Sequence, residues 1–253
     1  MKAKLLILAT VLIFSSVKSF AGWYDTYNYT GLIGKYPVTL SIQIKAGYFG
    51  EAAKKHYNII GVYKYDKFNQ PIRLEGFFDQ HNQAMKVQEI GANGQTSATF
   101  QLSSSAQKLT GTWSNGKSKL KVELQLLDKL SDLSDEAFHN IQVLQFSSLK
   151  NYYFIGIYAK EMKSSQASMR ALKIVSKETN KTFQILNFDH IETPTGCLMT
   201  IIYDNVMTVK NNDFLIYNMI GRVGGYLNVD YNIGTKRFIL NPEPVAEGAN
   251  GSN

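Results

Sequence analysis

Glu75, Asp79, Glu89, Asp189 and Asp204 are among the side chains of this sequence that could pair for hydrolytic chemistry. Glycoside hydrolysis needs one carboxyl to protonate the leaving oxygen and a second, roughly 5–10 Å away, to act as base or nucleophile. The two need not be neighbours in sequence, so spacing alone neither joins nor separates these five. They fall in strand-like and turn-like stretches without a recognisable catalytic setting. Other chemistries lack their spacing outright. No Gly-x-Ser-x-Gly pentapeptide is present to make a nucleophile elbow, and no His-Glu-x-x-His segment to hold zinc. His56, His81, His139 and His190 stand apart and could meet only through the fold. "GLIG" and "GRVGG" read as turns rather than phosphate loops, because neither follows a strand and opens a helix. Cys197, the lone cysteine, cannot form an intramolecular disulfide. Beside Leu198 and Met199 it reads as a buried small hydrophobe rather than a reactive thiol. These residues point to a protein that is not an enzyme.

Metal chemistry has one further candidate, "DNVMTVKNNDFLIYN", from Asp204 to Asn218. A calcium loop wants hard oxygens at alternating positions, a glycine at its sharp turn and a late bidentate acid. Counted from Asp204, the alternate positions hold Val206 and Thr208, the glycine position holds Val209 and the closing position Leu215. Counted from Asn205, they hold Met207 and Val209, and Lys210 places a positive charge at the turn. Neither register supplies the ligands. Asn205, Met207, Val209 and Asp213 therefore mark a degenerate calcium-loop position, and no cofactor is expected. A solvated hairpin turn explains Asn211, Asn212 and Asp213 equally well.

The elements that would position these residues are strands. "VTLSIQI" sets Val38, Leu40, Ile42 and Ile44 against Thr39, Ser41 and Gln43, the period-two pattern of a half-buried strand. "IIGVYKYDKFNQPIRLEGFFDQ" predicts a strand pair joined through Asp66–Gln70, with Gly61 and Gly76 marking bulges or close backbone approach. Asn93-Gly94 and Asn115-Gly116 predict two further hairpins, because Asn-Gly favours positive backbone angles. The rhythm breaks at "LSDLSDEAFHNIQVLQF". Ser134 reads as an N-cap, Asp135 and Glu136 complement the dipole of a first turn, and Phe138, Ile141, Val143, Leu144 and Phe146 form an amphipathic face. The fold class expected is thus mainly β, with two antiparallel sandwich- or barrel-like halves joined by a short helix. The organisation is a signal peptide over 1–21, a β-meander domain over 22–130, a helical linker over 131–150, a second β domain over 151–242 and a disordered tail over 243–253. A helix packed under one continuous sheet would read the same way.

Lys2 and Lys4 precede the apolar run Leu5–Phe14, which is shorter than the roughly 20 residues of a membrane span and is followed by polar residues and then Ser19-Phe20-Ala21. This predicts a cleaved secretory signal, a periplasmic location and no stable membrane insertion. Cleavage removes Lys2, Lys4 and Lys18 and no acid, lowering the formal charge of +7 by three. The remaining basic residues are scattered in sequence, which argues against nucleic acid as a partner.

The stretches "ALKIVSKETNKTFQIL" and "NNDFLIYNMIGRVGGYLNVDYNIGTKRFILNP" resemble a group of exported bacterial proteins. These are periplasmic immunity proteins, related in fold to lysozyme inhibitors, that neutralise peptidoglycan-hydrolase effectors delivered by the secretion systems of rival bacteria. The resemblance covers about residues 152–242. It implies a lysozyme-inhibitor-like β domain here and a secreted peptidoglycan hydrolase or lysozyme-like effector as partner. The family's Asp-x-Asn-x-Asp-Gly calcium loop falls, in this chain, on Asn205, Met207, Val209 and Lys210, which lack most of the ligands. An inhibitor of this kind needs a rigid scaffold and a loop that enters the partner's cleft. In "GRVGGYLN", Gly224 and Gly225 allow a tight turn, Arg222 can pair with a catalytic carboxylate, and Tyr226 beside Asn228 is a low-entropy anchor. Tyr226 also reads as the first core residue of the next strand. The N-terminal half resembles β-meander modules of exported bacterial proteins, which implies location and fold only. Its "GWYDTYNYTG" could offer aromatic faces to a glycan or close the first strand over the core. The alternative function is a non-catalytic envelope glycan- or peptidoglycan-binding protein.

Overall fold

The computed structural model describes residues 23–46, 58–91, 93–131, 136–161, 167–196, 201–210, 212–220 and 223–246. The expected leader, together with His56, Ser134, Asp135, Cys197, Asn211 and Arg222, lies outside the described residues.

Strands β1 (Trp23–Ile33), β2 (Tyr36–Ala46), β3 (Ile59–Tyr65), β4 (Ile72–Asp79), β5 (Ala84–Ile90), β6 (Thr96–Ser104), β7 (Lys108–Ser114) and β8 (Lys119–Ser131) pair in sequence order, and β8 returns to β1 to close a barrel. Period-two alternation drives the closure. Val38, Leu40 and Ile42 of β2 point inward with Tyr29, Ile59, Tyr63, Leu74, Val87, Phe100, Val122 and Leu124 to fill the lumen. The Asn-Gly turns form as read, with Gly94 at φ +75° and Gly116 at φ +83°. At Gly76 a Cβ would lie 2.3 Å from the Lys86 carbonyl oxygen, so this glycine does mark a close backbone approach.

The second body is two packed sheets. One has the order β12-β11-β10-β9, from β9 (Phe138–Ser148), β10 (Tyr152–Lys160), β11 (Ser168–Ser176) and β12 (Thr182–Asn187). A single 3₁₀ turn, Ile202–Asp204, leads into the other, formed by β13 (Val206–Thr208), β14 (Phe214–Ile220), β15 (Val223–Asn232) and β16 (Arg237–Leu240). Phe154 of β10 meets Phe214 of β14 at 4.7 Å between ring centroids, in a core shared with Ile174, Ile216, Leu227 and Phe238. Ile60, Val62 and Leu130 point outward from the barrel into this same core, so β3 is buried on both faces.

The expected helical linker over 131–150 is corrected: the described residues contain no α-helix, and Phe138–Ser148 is a strand. Its apolar residues lie at near-helical spacing for a different reason. Val143 and Leu144 are adjacent, face opposite sides, and are both buried, because β9 runs between the barrel and the neighbouring sheet. Asn140 at φ +59° and the irregular pairing with β10 shift the phase of the pattern. A strand buried on two faces loses its alternation and imitates a helix stripe. The two halves are therefore a closed barrel and a pair of packed sheets, in direct contact rather than joined by a helix.

A polar seam fixes that contact. Ser41 Oγ donates to Asn28 Oδ1 at 2.6 Å and lies 3.0 Å from the Tyr203 hydroxyl, and Gln43 Oε1 accepts from the Ile202 backbone N–H at 2.9 Å. Asn28 Nδ2 donates to the Gln142 carbonyl at 3.0 Å. Within the tail, Val245–Ala246 forms a short strand, β17, on the far edge of β15, and residues 247–253 lie outside the described part. Among the described residues no helix is long and apolar enough to cross a membrane.

Candidate partner-binding site

The stretch Asp204–Asn218 folds as a hairpin. Val209 N–H donates to the Asp213 carbonyl at 2.9 Å, Asp213 N–H donates to the Lys210 carbonyl at 3.1 Å, and Asn212 takes φ +69°. The four residues of the degenerate calcium position do not converge. Asn205 is buried and its Nδ2 donates to the Tyr158 hydroxyl at 2.9 Å. Met207 lies half-buried in β13, and Val209 is exposed at the turn. Asp213 Oδ1 accepts the backbone N–H of Tyr231 at 2.8 Å, so its carboxylate braces β15.

Gly224, Gly225, Tyr226 and Asn228 all fall on β15, opposite Met219, Asn218, Tyr217 and Leu215 of β14. Gly225 and Tyr226 pair on their other side with Ala246 and Val245. These residues form a doubly paired strand rather than a protruding turn, and the tip itself, with Arg222, lies outside the described residues. Tyr226 meets the ring of Tyr217 edge-on at 6.1 Å and 78°. Asn218, absent from the sequence-based candidates, ties this surface down from within. It is fully buried; its Oδ1 accepts from Thr193 Oγ1 at 2.7 Å, and its Nδ2 donates to Thr195 Oγ1 at 3.2 Å. Backbone bonds from Met219 to Pro194 and from Gly196 to Tyr217, each 2.9 Å, complete the attachment. An asparagine inside the apolar run "FLIYNMI" is the one signal that could have marked it, since a buried amide must find partners.

The five acids take separate roles. Asp79 caps its own turn, accepting from Asn82 Nδ2 at 2.6 Å and from His81 N–H at 3.0 Å, and the Asn82 contact holds its carboxyl below the usual range. Asp189 is exposed in the connection after β12. Glu89 points into the barrel lumen and accepts from the Tyr63 hydroxyl, the Trp113 indole N–H and, at 3.0 Å, Ser97 Oγ. Burial first, and then Glu89, push the Tyr63 hydroxyl far above its ordinary pKa, so Tyr63 stays a donor. Glu75 and Asp204 are the two acids that the fold brings together. Arg73 pairs with Glu75 at 2.7 Å and lies 5.4 Å from the Phe146 ring centre, joining the barrel wall to β9, and Asp204 feels the charges of both Arg73 and Glu75. His81, His139 and His190 are exposed on separate elements. No cluster of three metal-ligating side chains occurs among the described residues.

Burial raises the Asp204 carboxyl above its ordinary 3.8, with Glu75 adding to the rise and Arg73 opposing it. A carboxyl whose pKa is raised on folding stabilises the fold below its unfolded pKa and loses that contribution as pH climbs through the folded value. Asp204→Asn is therefore expected to raise the urea midpoint at about pH 7 and to leave it unchanged at about pH 3.5. A lowered midpoint at neutral pH would mean that the attraction of Arg73 outweighs burial.

No protein-family model matches the chain, and neither does any curated protein or solved structure.

Proposed function

We propose that the chain is an exported, non-catalytic binding protein that blocks a peptidoglycan hydrolase in the periplasm, in the manner of an immunity protein. The resemblance over residues 152–242 suggests the class of partner. The observation that carries the reading is the anchored strand Gly224–Asn228, paired on both sides at Gly225 and Tyr226 and tied from below by Asn218. Binding through such a surface loses little ordering entropy, which is the property an inhibitor needs. Tyr226, set edge-on against Tyr217, is its aromatic anchor.

The test is retention of a hydrolase by the mature protein, residues 22–253, from a secretome, followed by titration of the retained enzyme's activity. Stoichiometric inhibition is the expected result. Tyr226→Ala should weaken that complex by about 2 kcal/mol, or about 30-fold, measured by calorimetry well below the melting temperature of either protein. Unchanged affinity would remove this strand from the interface. Retention of wall fragments with no enzyme would assign the protein to envelope glycan binding instead.

A further inference from the structure

We propose that the barrel end carrying the β1–β2, β3–β4, β5–β6 and β7–β8 connections is a docking surface that enters an acidic cleft of a protein partner. This rests on the hydrolase-blocking reading above and adds a second contact surface to it. In a closed barrel of sequentially paired antiparallel strands these four connections share one end. They hold Lys35, Lys67 and Lys117, with Lys119 at the start of β8, all exposed. Their one acid is Asp66, and it is already engaged, accepting from Lys64 Nζ at 2.8 Å and Thr39 Oγ1 at 2.9 Å. The end is therefore cationic, and a partner that complements it is anionic.

Its apolar content is placed as an interface places it. Phe68 is 63 % exposed and Tyr36 42 %, and the amines of Lys67 and Lys35 lie 5.7 Å from their respective ring centres. The turn that carries Phe68 is locked. Asn69, at φ +54°, is buried; its Oδ1 accepts from Lys64 Nζ at 2.9 Å and its Nδ2 donates to the Lys177 carbonyl at 3.0 Å. The backbone N–H groups of Phe68 and Asn69 both donate to the Tyr65 carbonyl, at 3.0 and 2.9 Å. Lys177 Nζ completes the brace on Gln70 Oε1 at 2.6 Å. The ring is thus held out to solvent by a framework spanning both bodies, so its burial in a partner forfeits little entropy. Behind it, Glu89 fastens Tyr63 and Trp113 together inside this end of the lumen. The lysines sit on separate turn tips of the barrel end, two of them beside Tyr36 and Phe68, instead of following one line, which suits a protein cleft better than an extended polyanion.

The experiment compares Phe68→Ala and the double variant Lys35→Glu/Lys67→Glu with the parent chain, titrated against the hydrolase retained by the mature protein. Each is expected to weaken the complex by about tenfold or more. For the double variant the loss should lie mainly in the association rate and shrink as salt is raised from about 50 to about 300 mM. Urea midpoints should stay put, since all three side chains are exposed. Unchanged affinity in both variants, with Tyr226→Ala still weakening the complex, would overturn this surface and leave the proposed function standing. Failure to retain any hydrolase would overturn both. Binding to purified sacculi that the double variant abolishes, with no protein partner, would overturn the protein-cleft assignment in favour of an anionic wall polymer.

Discussion

Gly111→Ala is expected to destabilise the protein by about 3 kcal/mol or more, because the added methyl has nowhere to go. Gly111 sits in β7 between Leu102 of β6 and Val122 of β8. A Cβ built there lies 2.0 Å from the Gln101 carbonyl oxygen and 2.9 Å from the Leu102 Cα. Both are backbone atoms of the paired strand, so relief requires the β6–β7 ladder to open rather than a side chain to swing aside. Gly31, on β1 across β8, stands in the same relation to the Glu123 carbonyl oxygen at 2.1 Å. The glycines allow the close approach of β7 to β6 and of β1 to β8 that lets the sheet coil tightly enough to close. Gly116→Ala is the control: a Cβ there meets nothing within 4 Å, and the cost is that of a positive φ alone, about 1–2 kcal/mol. Urea unfolding followed by tryptophan fluorescence measures both. A loss at Gly111 no larger than at Gly116 would mean that the strands separate at little cost and that closure does not depend on this glycine.

The same closure explains what could be read in the sequence and what could not. The alternation of "VTLSIQI" locates β2 and its inward face correctly, since Val38, Leu40 and Ile42 are all buried in the lumen. It says nothing of the other face. Ser41 and Gln43, spelled as solvent-facing residues, are buried at the seam, where they bond to Asn28, Tyr203 and the Ile202 amide. A polar residue that meets water and one that meets another strand's hydrogen-bonding groups are written alike. The opposite confusion produces the false helix. Val143 and Leu144 are consecutive, apolar and buried in one core because β9 is covered on both faces, and a local pattern cannot report a cover contributed by residues 80 or more positions away. The candidate site divides on the same line. The Asn-Gly turns are local facts and were legible. The anchoring of Asn218 by Thr193 and Thr195 depends on a segment more than 20 residues upstream, and only the fold brings it there.

Glu89 shows how far an acid's role can depart from the chemistry its type suggests, and it sets the second large expected effect. One carboxylate oxygen accepts from both Tyr63 and Trp113, and the other accepts from Ser97, so its ties reach strands β3, β6 and β7 through the lumen. Glu89→Ala strands the Tyr63 hydroxyl and the Trp113 N–H inside the lumen and is expected to cost about 3 kcal/mol, since one orphaned buried donor alone costs about 1–3 kcal/mol. Glu89→Gln tests whether the role is hydrogen bonding or charge. The amide oxygen can accept from the Tyr63 hydroxyl and the Trp113 N–H, and the amide nitrogen can donate to Ser97 Oγ, which accepts as readily as it donates. All three partners stay satisfied, so this variant should stay within about 1 kcal/mol of the parent in urea midpoint, with the fluorescence of Trp113 little changed. If the glutamine variant instead loses as much as the alanine variant, the negative charge itself is what the lumen requires. Glu89 would then be a counter-charge for a cation held at the barrel end rather than a brace between strands.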